Sequence, residues 1–352
     1  MNDRFVPAAG QRWIVWRTEP PEPTEVKDVT QRVAVIGAGV TGLSCARVLR
    51  RAGFYVQVFE QDKVVGGRMG TARLGLVPFD HGAQYVSARN TRFKAFLEES
   101  LSTGYITRWN PRGYAGDTGE GQISTWYVGK PGMSSVVRPL AENVRMSFGR
   151  RVHTILRKDK MWTLWFDDQT SEGPFAAVAV CVPAPEAQYL LGRLPVLAEP
   201  LERVRMQPCW ALMVRLDQKL LPDQDVFSDM SQVVRWVSRN NSKPGRSPAG
   251  DHIVVHAAPA WTRQTEDADP DAVAEELWAE VSHALSLPPV RPTAMAAHLW
   301  RYGLCDTPLG ETFMFARDHM VGVGGDWCRG RLAEHAFESG AALGQAIVEA
   351  FN

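Results

Sequence analysis

The chain has 352 residues, 45% of them hydrophobic and 22% charged, a composition that excludes disorder throughout and leaves room for two ordinary cores. Lysine plus arginine equals aspartate plus glutamate at 39 each, so no global charge excess points to a nucleic-acid backbone or an acidic membrane as partner. The five cysteines, Cys45, Cys181, Cys209, Cys305 and Cys328, form no C-x-x-C pair and read as reduced thiols, so no metal site is expected.

Residues 1–31, with Pro7, Pro20, Pro21 and Pro23 and alternating charges from Glu19 to Asp28, read as an arm or linker. Within them the cluster Trp13-Ile14-Val15-Trp16 suits packing against the body or a partner. Next, residues 33–36 form a short apolar run ending in glycines, and Leu43, Ala46, Val48 and Leu49 follow at helical spacing. Residues 55–59 then read as a second strand, completing a strand-helix-strand unit.

Further strands are expected at 144–148, 152–156, 161–166 and 177–182, the last wholly apolar, as in a sheet covered on both faces. From Pro200 to Trp300 the pattern changes to strands at 211–216 and 253–257, a polar loop at 240–245 and a helix at 271–285. This reads as a second domain inserted within the first. Residues 320–323 return to a buried strand, and 332–351 repeat small and apolar residues at helical spacing. No uncharged apolar stretch of about 18 residues occurs, and the start lacks a basic region followed by an apolar core. The expectation is a cytoplasmic protein with no membrane partner.

Gly37-Ala38-Gly39-Val40-Thr41-Gly42 fits G-x-G-x-x-G directly after a strand and at the opening of a helix, where backbone N–H groups and the helix dipole favour a pyrophosphate. Glu60 ends the second strand 18 positions after Gly42, where a carboxylate accepts hydrogen bonds from a ribose. Val65-Gly66-Gly67-Arg68-Met69-Gly70 follows, with glycines that can open an N–H surface and an arginine that can neutralise phosphate charge. Near the C-terminus Gly324-Gly325-Asp326-Trp327 lies between a strand and a helix, with Asp326 able to accept from a hydroxyl.

With the G-G-R segment the sequence resembles the glutathione-reductase-type flavoprotein superfamily, in particular its amine-oxidase branch, and Gly325-Asp326 is similar to the superfamily's flavin-half motif. Collinear tracts resemble the renalase family, especially its bacterial members. They are Phe79-Asp80-His81-Gly82-Ala83-Gln84-Tyr85, Val128-Gly129-Lys130-Pro131-Gly132-Met133-Ser134, Trp236-Val237-Ser238-Arg239-Asn240 with Ser242-Lys243-Pro244, His256-Ala257 with Trp261, and Gly325-Asp326-Trp327-Cys328. The resemblance runs over about residues 32–350 and departs from the family at the arm and at 303–318.

The resemblance implies an α/β fold: a Rossmann-like FAD-binding domain with an inserted mixed α+β substrate domain, the p-hydroxybenzoate hydroxylase-like architecture of amine oxidases. The FAD-binding domain would comprise residues 32–90, 135–195 and 303–352, and the substrate domain 91–134 and 196–302. Expected FAD contacts are Gly37, Gly39, Val40, Thr41, Gly42, Glu60, Gln61, Gly67, Arg68, Gln84, Tyr85, Gly132, Met133, Val152, Gly325, Asp326 and Leu332. The cofactor is expected to be noncovalent, with Cys328 a buried thiol rather than an attachment point.

The implied reaction oxidises dihydronicotinamide dinucleotides that carry the hydride at ring position 2 or 6, passing it to flavin N5 and the electrons to O2 as H2O2. Flavin and substrate do the bond-making, so the protein must stack the ring and recognise its polar groups. Candidate substrate residues are Gln84, Tyr85, Trp236, Asn240, His256 and Trp300. Gln84 and Asn240 can bond a carboxamide, and the aromatics offer flat walls. Trp236 and Trp300 equally suit a core, and His256 suits a structural histidine. Two other functions stay open: an amine oxidase with an aromatic cage from Tyr85 and Trp300, and a nonenzymatic flavoprotein that docks through its arm.

Overall fold

The computed structural model describes residues 31–113 and 125–352, so the arm, including Trp13 to Trp16, lies outside the described residues. The strand-helix-strand unit is β1 (Arg32–Ile36), α1 (Val40–Arg51) and β2 (Tyr55–Glu60). A hairpin of β3 (Ala72–Leu74) and β4 (Val77–Phe79) leads to α2 (Thr91–Leu101), β5 (Ile106–Trp109), β6 (Trp126–Gly129), α3 (Arg138–Ala141) and β7 (Arg145–Phe148). A meander of β8 (Val152–Lys158), β9 (Met161–Phe166) and β10 (Ser171–Phe175) precedes β11 (Ala177–Val180), α4 (Ala184–Leu190) and α5 (Pro195–Leu201).

The second sheet then brings β12 (Arg205–Leu216), β13 (Val226–Ser228), β14 (Val234–Arg239), β15 (Asp251–Ala257), α6 (Pro259–Gln264), α7 (Pro270–Ala284) and β16 (Ala294–Thr307). The chain closes with β17 (Met314–Ala316), β18 (Val321–Val323) and α8 (Ala333–Phe351).

The first sheet has the order β17-β18-β11-β1-β2-β7, parallel except for the edge pair β17 and β18. Its central strands are apolar and buried at 33–36 and 177–180 because both faces are covered there. Val33 and Val35 point to α1 and α8, packing with Leu43, Leu49, Leu343 and Ile347. The alternate residues Ala34 and Ile36 meet Trp162, Leu164 and Phe166 of the meander and Leu190 and Leu197 of α4 and α5.

Helices α1 and α8 approach closely because their contact stripe is small. A Cβ at Gly340 would stand 2.0 Å from the Thr41 carbonyl oxygen, and one at Gly344 2.9 Å from that of Cys45.

The second sheet is antiparallel, with order β13-β14-β15-β12-β16. Leu212, Val214, Val237 and Val255 pack one of its faces on Val273, Leu277 and Val281 of α7. The other face, through Met213 and Val254, takes Phe79, Leu74 and Val77 of the β3–β4 hairpin. That contact brings the residues after β4 onto the second sheet.

Two features run across the expected domain bounds. Residues 91–134 do not pack with the second sheet alone: Phe93 and Phe96 of α2 stand 5.3 and 5.2 Å from Phe337 of α8, in the core under α1. The Glu334 carboxylate accepts from Arg89 N and Asn90 N, each at 2.9 Å, tying the start of α2 to α8. The boundary at 302 also cuts an unbroken strand, since β16 runs on to Thr307. Among the described residues no helix is long and apolar enough to cross a membrane.

The α1–α8 contact is tested by Gly340→Ala, whose methyl would force the helices apart. A loss of about 1–3 kcal/mol in urea unfolding is expected, whereas an unchanged midpoint would mean the contact relaxes freely.

Candidate functional site

Gly37 turns the chain out of β1 with φ 101°, and its N–H donates to the Phe59 carbonyl at 2.8 Å. A Cβ at Gly42 would stand 1.9 Å from the Gly37 carbonyl oxygen, so only glycine lets the helix start under the turn. Gly39 is the opposite case: a Cβ there would meet nothing within 4 Å. Gly39 is also the N-cap of α1, with no side-chain cap and no acidic residue in the first turn. The N–H groups of the first turn, including those of Val40 and Thr41, therefore face open space with a positive dipole behind them. That is a cradle for an anion.

Glu60 borders it. One carboxylate oxygen accepts from Ala38 N at 2.7 Å and the other from Asp62 N at 2.9 Å, and burial pushes its pKa up. The Gly66-Gly67 turn closes over the loop through Gly66 N donating to the Ala38 carbonyl at 3.0 Å. Arg150 N donates to the Glu60 carbonyl at 2.8 Å, so Val152, the first residue of β8, continues from the same edge, while Gln61 is exposed. These groups fit a dinucleotide whose diphosphate lies over Gly39 and whose ribose reaches Glu60.

Arg68 meets Asp326. Its Nη1 and Nη2 donate to the two Asp326 oxygens at 3.0 and 2.5 Å, and Nη1 also reaches the Gly303 carbonyl at 3.3 Å. Burial would lower the guanidinium pKa, but Asp326 outweighs it and the pKa is raised. The Arg68 charge is thus answered within the protein by Asp326. Asp326 opens a short turn to Cys328, and α8 begins at Ala333 after Leu332. The link to α8 runs through Gly325 N donating to Ser339 Oγ at 3.0 Å.

Beside this pair stands a histidine cluster. Gly70, two residues past Arg68, packs against His81 and Trp300, and its carbonyl accepts from His81 Nδ1 at 3.1 Å. The His81 carbonyl in turn accepts from His256 Nε2 and Trp300 Nε1, each at 3.1 Å. The His81 ring lies 4.9 Å from both Trp300 and His298. Burial, reinforced by His298, pulls His81 down to about 3, and burial pulls His256 down to about 4 and lowers His298. All three rings are neutral at physiological pH.

A second aromatic wall holds Tyr85, stacked on Trp126 at 3.7 Å and 7°, with Trp236 6.0 Å from Tyr85.

Gln84 and Asn240 are hydrogen-bonded within the protein. The Gln84 amide nitrogen donates to the carbonyls of Asp80 and Gly82, and its oxygen accepts from Ser238 Oγ at 2.7 Å and Lys243 Nζ at 3.1 Å. Every hydrogen-bonding position of that amide is used. Asn240 is fully buried, donating to the Pro78 carbonyl at 3.0 Å and accepting from Asp80 N at 3.2 Å. In the loop at 240–245, Asn240 and Lys243 are buried because both meet the residues at Asp80.

That carboxylate was not singled out as a site residue. Asp80 is bonded by Lys243 Nζ at 3.1 Å, Arg246 Nη2 at 2.5 Å, Thr71 Oγ1 at 3.0 Å and Met133 N at 2.7 Å. The last contact is the use the structure makes of the Gly132-Met133 turn. Burial would raise the Asp80 pKa, but Lys243 and Arg246 hold it at about 2; burial draws Lys243 down to about 8. At neutral pH all three are charged. A buried Asp, Lys and Arg in three distant tracts is a signal only when the tracts are known to meet.

The pattern described as "NAD(P)-binding Rossmann-like domain" matches residues 35–100, and that described as "Flavin containing amine oxidoreductase" matches residues 95–302, more than half of the chain. Mouse renalase is 26% identical over 323 residues, covering 84% of this chain and 92% of its own. A candidate protoporphyrinogen oxidase from Exiguobacterium superposes with a TM-score of 0.71 at 14% identity, over 91% of this chain and 99% of its own. Cyclohexylamine oxidase from Brevibacterium oxydans gives 0.66 at 13% identity, over 90% and 98%. The two solved structures share the fold.

Asp80→Asn leaves Lys243 and Arg246 buried without a counter-charge, and a loss of about 3–5 kcal/mol is expected in urea unfolding at pH 7. The folded-state value of about 2 lies below the ordinary 3.8. The Asp80 contribution is therefore complete above the ordinary value and lost as pH falls through about 2. The variant should lack that acid-side slope; an identical pH profile would refute the assignment.

Proposed function

We propose that this chain, which belongs to the flavin-containing amine oxidoreductase family and is a flavin-dependent oxidoreductase, holds FAD noncovalently and oxidises dihydronicotinamide dinucleotide isomers. The net reaction takes a 2- or 6-dihydronicotinamide, O2 and a proton to the nicotinamide cation and H2O2. The flavin supplies the two-electron acceptor that such a ring needs.

FAD rather than a shorter flavin is supported by the open face of Gly39 and the buried Glu60 carboxylate, which suit a diphosphate and an adenosine ribose. Noncovalent binding is supported by Cys328, whose buried thiol is pushed up to about 12 and offers no thiolate.

The observation that carries the substrate reading is the charge state beside Arg68. His81, His256 and His298 are neutral, and the neighbouring carboxylates are already answered, Asp80 by Lys243 and Arg246 and Asp326 by Arg68. A neutral heteroaromatic ring with a carboxamide suits these surroundings better than an ammonium ion, which needs an anion or an aromatic cage. Tyr85 and Trp300, the two rings proposed for such a cage, are engaged elsewhere, Tyr85 against Trp126 and Trp300 against His81. Trp300 is held by its hydrogen bond to the His81 carbonyl, so its ring is positioned before substrate arrives.

Anaerobic mixing of the purified protein with 2- and 6-dihydro-NAD(P), ordinary NADH and a panel of amines reads this out through the flavin absorbance. The dihydro isomers should bleach it rapidly and amines should not; bleaching by amines alone would transfer the assignment to amine oxidation. Separately, Gly39→Val should fold with unchanged far-UV dichroism yet purify without flavin colour, since its side chain has room in the protein but not beneath a diphosphate. Full flavin occupancy in that variant would contradict the cradle.

A further inference from the structure

A second cavity lies away from the flavin cradle, between the β8–β9 turn, the end of α4 and the turn before β18, with a volume of about 440 Å³. Dinucleotides bind at the carboxyl ends of parallel strands, where Gly37 and Gly324 stand. The cavity is lined by His319, which precedes the amino end of β18, and by Lys160 in the turn between β8 and β9. It therefore opens at the opposite end of the sheet.

The cavity's charge is unbalanced. Arg157, Lys160 and Arg193 line it against one carboxylate, Asp159, and among the described residues none of the three cations is in an ion pair. Arg157 is the most telling. Its Nη1 faces His319 Nδ1 at 3.2 Å, and Trp162 Nε1 fixes that turn by donating to the His319 carbonyl at 2.8 Å. Yet the Arg157 Nε–H is buried with no acceptor among the described residues. A buried donor left unanswered is costly and is a reason to look for a missing oxygen.

The remaining walls are apolar: Ile155, Trp162, Leu190 and Leu194. A cavity of this size with a convergent set of donors and an apolar floor has the make-up of a small-molecule site.

We propose that this cavity binds a small organic anion, a carboxylate or phosphate group carried on an apolar body. The anionic group pairs with Arg157 and Arg193, and the body lies against Trp162 and the leucines. An arginine pair matches the forked geometry of either anion, so the shared chemistry is an oxyanion.

Isothermal titration calorimetry on the flavin-loaded protein tests this with phenylacetate and phenyl phosphate as anionic probes, and phenethylamine and inorganic phosphate as controls lacking the charge or the body. At least one anionic probe should bind with a dissociation constant at or below about 1 mM. That binding should weaken at least tenfold in both Arg157→Gln and the exposed Arg193→Gln, with the flavin spectrum unchanged by probe or substitution. The anionic probe with the lower dissociation constant identifies the preferred head group. Absence of binding by both, binding that survives the Arg193→Gln change, equal binding of phenethylamine, or a probe-induced shift of the flavin spectrum would each overturn the proposal. Because the readout is heat and not turnover, failure here leaves the oxidase reading untouched.

Discussion

The Asp80 carboxylate is the constraint on which the arrangement depends. It follows the β3–β4 hairpin that leaves the nucleotide-binding segment, yet its partners come from three other places: Thr71 before the hairpin, Met133 from the turn after β6, and Lys243 and Arg246 from the loop after β14. Lys243 and Asp80 are 0% and 1% exposed in their side chains, so the charges sit where desolvation is severe. Such a cluster needs its charges answered, and here one anion serves two cations while the Gly129 and Pro244 carbonyls accept from Arg246 Nη1, leaving Arg246 Nε without an acceptor among the described residues. The same knot fixes Gln84 and Asn240, and through the adjoining peptide it sets the His81 carbonyl on which His256 and Trp300 converge.

Much of the fold was legible because local rules and global packing agree. Wholly apolar runs at 33–36 and 177–180 mark a sheet covered on both faces, and the glycine spacing at Gly37, Gly39 and Gly42 corresponds to a turn, an open face and a tight helix start. The burial of Lys243 and Arg246 in and after the loop at 240–245 was not legible, for a physical reason. Polarity in a sequence signals solvent unless partners exist, and the partners of Lys243 and Arg246 lie more than 150 residues away at Asp80. The same distance effect hid the internal partners of Gln84 and Asn240, such as Ser238 Oγ and the Pro78 carbonyl. Arg68 and Asp326, read singly as phosphate and ribityl contacts, are 258 positions apart and become a pair only in the fold.

Electrostatically the site is divided. Fixed, mutually answered charges stand behind it at Asp80, Lys243 and Arg246, a second answered pair of Arg68 and Asp326 stands at one edge, and the surface between them is neutral imidazole and indole. Burial, not a charged neighbour, is the main cause of the low histidine pKa values. The neutrality is thus a property of burial and persists across the physiological range.

Strand β16 bears on how this architecture could be altered. It pairs with β12 along most of its length in the second sheet, yet carries Trp300 into the histidine cluster and the Gly303 carbonyl to Arg68. A graft of the second sheet from a relative would therefore import a piece of the histidine cluster with it. The Trp300 ring and the carbonyl that meets Arg68 are inherited on one strand, so in this fold side-chain replacement disturbs less than recombination of blocks.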